Sequence, residues 1–148
     1  MKTFTKAICL LLVVATLCSM SVSAAAARED AGTYSRFFIS YGGYCAEVTD
    51  TQFEVWFDVL AQDYMDVLGA EKIKIQKSSD GENWLTVMTY NSSYYTHLLT
   101  QNDYLHDGYV TYNGALGYYY RAYVVIYAEN STGNGKVYFY TQPIYLGS

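Results

Sequence analysis

The stretch Tyr118-Tyr-Tyr-Arg-Ala-Tyr-Val-Val-Ile-Tyr-Ala-Glu129 decides how the rest of the chain is read. Tyr118, Tyr120, Ala122, Val124, Ile126 and Ala128 form one phase of a period of two; Tyr119, Arg121, Tyr123, Tyr127 and Glu129 form the other. Successive side chains of an extended backbone leave on opposite sides, so this repeat is a strand with its first phase in a core and its second towards water. Asn130-Ser-Thr-Gly133-Asn-Gly135 follows as a turn, and residues 136–145 are predicted to return antiparallel with Val137, Phe139 and Thr141 inside. Pro143 has no amide hydrogen for a ladder, which places it near an end or edge of that strand.

Working outward, residues 51–60 repeat the pattern. Phe53, Val55, Phe57 and Val59 alternate with Gln52, Glu54, Trp56 and Asp58, giving a second strand with Trp56 on its polar side. Residues 61–69 are expected to hold one helical turn that plugs the end of the fold with Met65 and Leu68, Gly69 supplying a left-handed stop. Ile73 and Ile75 alternate with Lys72, Lys74 and Gln76, with Lys77 beyond, and the three lysines read as the wet face of a strand. Ser78-Ser-Asp-Gly81 is a hairpin signal, because glycine takes the positive φ that such a turn needs. Trp84, Thr86, Met88 and Tyr90 then alternate with Leu85, Val87 and Thr89. Residues 91–108 are polar and aperiodic and read as a long connection able to contain a short strand; residues 109–112 form another strand, closed by Asn113-Gly114. Residues 33–40 supply the first strand, with Phe37 and Ile39 as its inner face. About seven short strands, with no helix long enough for a crossover, predict an all-β, two-sheet antiparallel Greek-key sandwich over residues 33–146.

The first 24 residues have the layout of a secretory signal: Lys2 and Lys6, an apolar run over 7–17, then the small-x-small triplet Val22-Ser23-Ala24, with cleavage possible up to residue 27. The apolar run is too short to span a bilayer. The expected address is therefore secreted or extracellular, with no membrane insertion once the signal is removed. Loss of Lys2 and Lys6 moves the formal charge from −5 to −7, which argues against nucleic acid and anionic membrane as partners. Cys9 and Cys18 leave with the signal, so Cys45 remains without an internal disulfide partner, either as a small buried hydrophobe or as a thiol that pairs between chains.

Two sets of residues carry a resemblance. Tyr120-Arg-Ala-Tyr-Val-Val-Ile-Tyr-Ala-Glu-Asn-Ser-Thr-Gly133 resembles the penultimate strand of fibronectin type III and related immunoglobulin-like domains as it runs into an Asn-x-x-Gly loop. Leu68-Gly-Ala, Ile73-Lys-Ile-Gln76, Ser78-Ser-Asp-Gly-Glu-Asn-Trp84 and Gly117-Tyr-Tyr-Tyr-Arg-Ala122 look like a set of small uncharacterised secreted proteins of Gram-positive bacteria, a likeness spanning most of residues 35–142. The resemblance implies a fold in which the C and C′ strands join F and G in one sheet, and a bacterial extracellular address. It implies no activity.

The feature most suggestive of function is the outward phase of the last two long strands, where Tyr123, Tyr127, Tyr138 and Tyr140 can share one face with Trp84 at its margin. Such rings bury apolar area while keeping a polar tip, which suits a protein partner or stacking against the sugars of a glycan. Cross-strand tyrosine pairs also stabilise a sheet without binding anything. His97 and His106, with Asp103 and Asp107 nearby, match no ligand spacing and read as solvated loop residues; Asp80, Glu82 and Asn83 are explained by their turn. No metal or cofactor is expected. No Gly-x-Ser-x-Gly or cysteine-protease pattern surrounds a Ser or Cys. The reading is a secreted non-enzymatic binding module, with a carbohydrate-binding module as the alternative and a small hydrolase with an unrecognised motif as a third.

Overall fold

The computed structural model describes residues 36–147. The signal segment and the start of the expected first strand, residues 33–35, lie outside them. Two antiparallel sheets pack on one core. The first is β1 (Phe38–Thr49), β2 (Gln52–Met65) and β6 (Asp103–Asn113), in the order β1-β2-β6. The second is β4 (Leu85–Asn91), β3 (Val67–Ser78), β7 (Tyr118–Asn130) and β8 (Gly133–Tyr140), in that order. A two-residue strand, β5 (Leu99–Thr100), continues the β4 border against β3, and β9 (Ile144–Leu146) continues the β8 border against β7.

Alternation places the core. Phe53, Val55, Phe57 and Val59 of β2 are buried, as are Tyr120, Ala122, Val124, Ile126 and Ala128 of β7 and Ile73 and Ile75 of β3. Each large apolar side chain so buried is worth about 1.5–3 kcal/mol relative to exposure. Tyr118, at the end of its phase, is only half-buried. Gly43 lets the sheets approach, because a Cβ there would lie 2.2 Å from the Trp56 carbonyl and 3.0 Å from the Phe139 ring.

Five sequence expectations change. Ile39 is 62% exposed, while Phe37 and Phe38 are both buried; the register passes from Phe38–Ala61 to Ser40–Leu60, so Ile39 is the extra residue of a bulge and turns outward. Residues 61–69 hold no helical turn. The chain stays extended through β2, slips register against β6 between Leu60 and Met65, bends at Asp66 and enters the other sheet as β3. Met65 and Leu68 are buried at that corner, but Gly69 (φ 141°) stops nothing; a Cβ on it would meet the Leu98 carbonyl oxygen at 2.2 Å.

The segment from 91 to 108 is more ordered than its polarity suggests. It contains a 3-10 turn at Thr96–Leu98, β5 and the first half of β6, and Leu98 is fully buried. The returning strand 136–145 is divided into β8 and β9. Tyr140 pairs with Tyr123 and Ile144 with Tyr120, so four steps of one chain match three of β7. Thr141 fills the gap: its amide donates to the Ala122 carbonyl (2.9 Å) and its hydroxyl accepts the Ala122 amide (2.9 Å). Pro143, with no amide to give, sits inside this break. Lys77, finally, pairs with Tyr120 and so falls in the inner phase, over the Tyr118 ring, instead of sharing the wet face of Lys72 and Lys74.

Candidate contact surfaces

The outer face of the β4-β3-β7-β8 sheet is built by register. Tyr123 stands between Lys74 of β3 and Tyr140 of β8, and Val125 between Lys72 and Tyr138. The Tyr123 ring lies 5.0 Å from that of Tyr140 and 5.6 Å from that of Tyr138, close enough for aromatic attraction. All three phenols keep some surface, Tyr140 most. Partial burial pushes the Tyr123 phenol above its ordinary pKa, helped by the neighbouring Tyr140 and Tyr138.

Cations lie against several of these rings. The Arg121 guanidinium sits between Trp84 (4.2 Å) and Tyr140 (4.4 Å), and its Nε donates to Gln76 Oε1 at 2.8 Å. Trp84 thus joins the tyrosines through Arg121. Lys74 Nζ lies 5.7 Å from the Tyr123 ring. Tyr127 stands apart: Lys136 lies over its ring at 5.4 Å while pairing with Glu71 at 2.7 Å. Its phenol donates to Glu129 Oε2 at 2.5 Å, which, with partial burial and the carboxylate charge behind it, pushes its pKa up to about 12. Of the five sequence-selected residues, Tyr123, Tyr138 and Tyr140 form one cluster, Trp84 joins it through Arg121, and Tyr127 belongs to a separate ion-paired group.

The other sheet carries an aromatic row that the sequence reading did not select. Tyr44, Trp56 and Tyr109 are paired across β1, β2 and β6. Trp56 stacks at 4.5 Å on Tyr109 and lies parallel to Tyr44 at 6.4 Å, and its indole N–H donates to Glu54 at 2.9 Å. Trp56 in the polar phase of β2 was the available signal. The other two rings needed cross-strand register, which local periodicity does not contain.

The remaining candidates have structural partners. Cys45 is half-buried, its Sγ 3.2 Å from Thr141 Oγ1, and burial pushes its thiol pKa up. His97 lies in the 3-10 turn and His106 on the inner phase of β6, neither in a loop; their Nε2 atoms are 3.2 Å from the Tyr109 carbonyl and 3.1 Å from the His97 carbonyl. Tyr90, Tyr95, His97, Tyr109, Val110 and Thr111 line an open cleft of about 430 Å³, where the Tyr90 hydroxyl donates to the Thr111 carbonyl. Asp80 caps its own turn, accepting from Asn83 and from the Glu82 amide, so its carboxyl is held well below the usual carboxylate range. Among the described residues no group of three His, Cys, Asp or Glu is placed to hold a metal ion, and no helix is long and apolar enough to cross a membrane.

No protein-family model, curated protein or solved structure matches this chain. Its chemistry is therefore read from the two faces themselves. One combines tyrosines with lysine and arginine, and the other combines stacked rings with carboxylates.

Proposed function

We propose that this chain is a secreted, non-enzymatic interaction module of the fibronectin type III or immunoglobulin-like kind, and that it engages a protein partner through the outer face of β4-β3-β7-β8. The strand order supports the family reading: β3 and β4 stand beside β7 and β8 as C and C′ stand beside F and G. The three-part leader supports export. The observation that carries the functional reading is Arg121 held between Trp84 and Tyr140. Arginine and aromatic side chains fixed in one patch are the groups enriched where proteins bind proteins.

The carbohydrate reading is less well supported, because stacking on sugar requires open ring faces, whereas Trp84, Tyr140 and Tyr123 each have a cation against one face. A hydrolase is supported least. The thiol of Cys45 is pushed towards its inert protonated form, opposite to the shift that activates a cysteine nucleophile.

The test is to expose the immobilised domain in parallel to a glycan array and to a panel of purified extracellular proteins, alongside Arg121→Glu and Tyr123→Ala/Tyr140→Ala. Saturable capture of a protein, lost in both variants, is the expected result. Saturable sugar binding lost in the tyrosine variant transfers the assignment to a carbohydrate-binding module, and capture unchanged in both variants refutes this face as the contact.

A further inference from the structure

The two outer faces differ in charge. On β1-β2-β6 the outward charged positions around the aromatic row are Glu54, Asp58 and Asp107, and no Lys or Arg occupies an outward position on those strands. Asp58 and Asp107 are directly opposite one another, and Gly42 is the residue opposite Asp58 on the other side. Like charges directly across a ladder destabilise it. Among the described residues no hydrogen bond or ion pair relieves either carboxylate.

On β4-β3-β7-β8 the position is reversed. Lys72 faces Asn91 and Val125, and Lys74 faces Thr89 and Tyr123, so neither lysine has an acid beside it in the register. The two acids near that face are already engaged, Glu71 with Lys136 and Glu129 with Tyr127. Two lysines that, among the described residues, have no acid partner therefore lie beside tyrosine rings on one outside of the sandwich. Two opposed aspartates beside Tyr44, Trp56 and Tyr109 lie on the other.

We infer that the partner of the acidic face is a second copy of this chain, which seats its Lys72 and Lys74 on Asp58 and Asp107 while the two aromatic groups pack between them. This rests on the proposed role as an interaction module and names the second surface and its occupant. Charge complementarity selects this pairing over face-to-like-face contact, in which aspartates would meet aspartates or lysines meet lysines. Because the two faces are on opposite outsides of one domain, the contact is heterologous and does not close into a dimer. Each added copy leaves one acidic and one basic face open, so the product is a linear chain.

The size of the contact sets its strength. Three strands about 4.8 Å apart and about ten residues long present roughly 450 Å² of projected area, below the approximately 800 Å² per partner of a stable complex. Association is therefore weak, reversible and dependent on concentration and salt.

Sedimentation velocity of the mature chain over a wide concentration range, at low and high salt, tests this. Expected is a weight-average mass that climbs with concentration without levelling at a dimer, with an association constant about tenfold lower at high salt, since exposed charges are screened within a Debye length. Asp58→Lys/Asp107→Lys makes both faces positive and Lys72→Glu/Lys74→Glu makes both negative, so each variant alone is monomeric and an equimolar mixture regains association. Circular dichroism establishes that both are folded; should the lysine variant fail that check, Asp58→Asn/Asp107→Asn takes its place and is expected to associate more weakly than the parent. A parent that stays monomeric throughout, a plateau at dimer mass, or a mixture that remains monomeric overturns the inference. Self-association would occupy the face assigned to a foreign protein, so capture is measured on the monomeric Asp58→Lys/Asp107→Lys variant, or Asp58→Asn/Asp107→Asn in its place, whose Arg121 face is unchanged; capture without self-association, or self-association without capture, then separates the two readings.

Discussion

Thr141→Val keeps the size and branching of a buried side chain and removes one oxygen atom. In the parent, Thr141 is 3% exposed; its hydroxyl accepts the Ala122 amide at 2.9 Å and lies 3.2 Å from the Cys45 sulfur. Ala122 itself has no exposed surface, so in the variant its N–H keeps only the Cys45 sulfur, a weak acceptor, beside it. A buried donor so poorly met costs about 1–3 kcal/mol. With a urea slope of about 1.5 kcal/mol/M for a domain of this size, the unfolding midpoint falls by about 0.7–2 M at unchanged slope. Thr141→Ser keeps the oxygen and loses one methyl group, about 0.8 kcal/mol, so its midpoint lies between the two. Equilibrium unfolding followed by both tryptophan fluorescence and far-ultraviolet circular dichroism measures these values. If the valine variant unfolds where the parent does, or the serine variant unfolds first, the hydroxyl is not what joins β8 and β9 to β7.

Gly69→Ala places a Cβ against the Leu98 carbonyl at a positive φ and is expected to cost at least about 2 kcal/mol, read as a lower thermal midpoint. Asp80 is held ionised first by the Asn83 side chain and then by the Asn83, Ser78 and Glu82 donors. A depressed folded-state pKa gives stability that is present above the unfolded carboxylate pKa and lost as pH falls through the folded one. Asp80→Asn is therefore expected to lose less stability than the parent on acidification below about pH 4. The Tyr127 phenol, at about 12, is raised by its bond to Glu129, so its contribution is full below the unfolded tyrosine pKa of about 10 and disappears as pH rises towards the folded value. Glu129→Gln is expected to move one tyrosine to lower pH in an ultraviolet titration, and Tyr127→Phe to remove that same transition.

How far the sequence revealed the fold depended on what the inner phase of each strand contained. In β2 and β7 that phase is apolar without interruption, so alternation located both strands and sorted their faces. In β6 the inner positions include His106 and Gly108. Gly108 is there because a Cβ would lie 2.9 Å from the Phe57 ring; the periodicity is absent because a neighbour's ring fills the space. The corner at 61–69 has a composition compatible with a helical turn, and its extended form comes from the passage between sheets, a tertiary requirement. The outward tyrosines of β7 and β8 were legible for the same reason as their core partners. Arg121 between Trp84 and Tyr140, and the row Tyr44-Trp56-Tyr109, join residues far apart in sequence whose contact depends on register.

The break at Thr141 and Pro143 also bears on how this chain behaves when crowded. An intact row of amides along a sheet border is a template on which a foreign strand can zip, the first step of fibrous aggregation. Along β8 and β9 that row is cut into two short pieces offset by one residue, so an incoming strand in step with one piece is out of step with the other. A tyrosine-rich domain without a disulfide across its core thereby keeps one flank closed to irreversible growth.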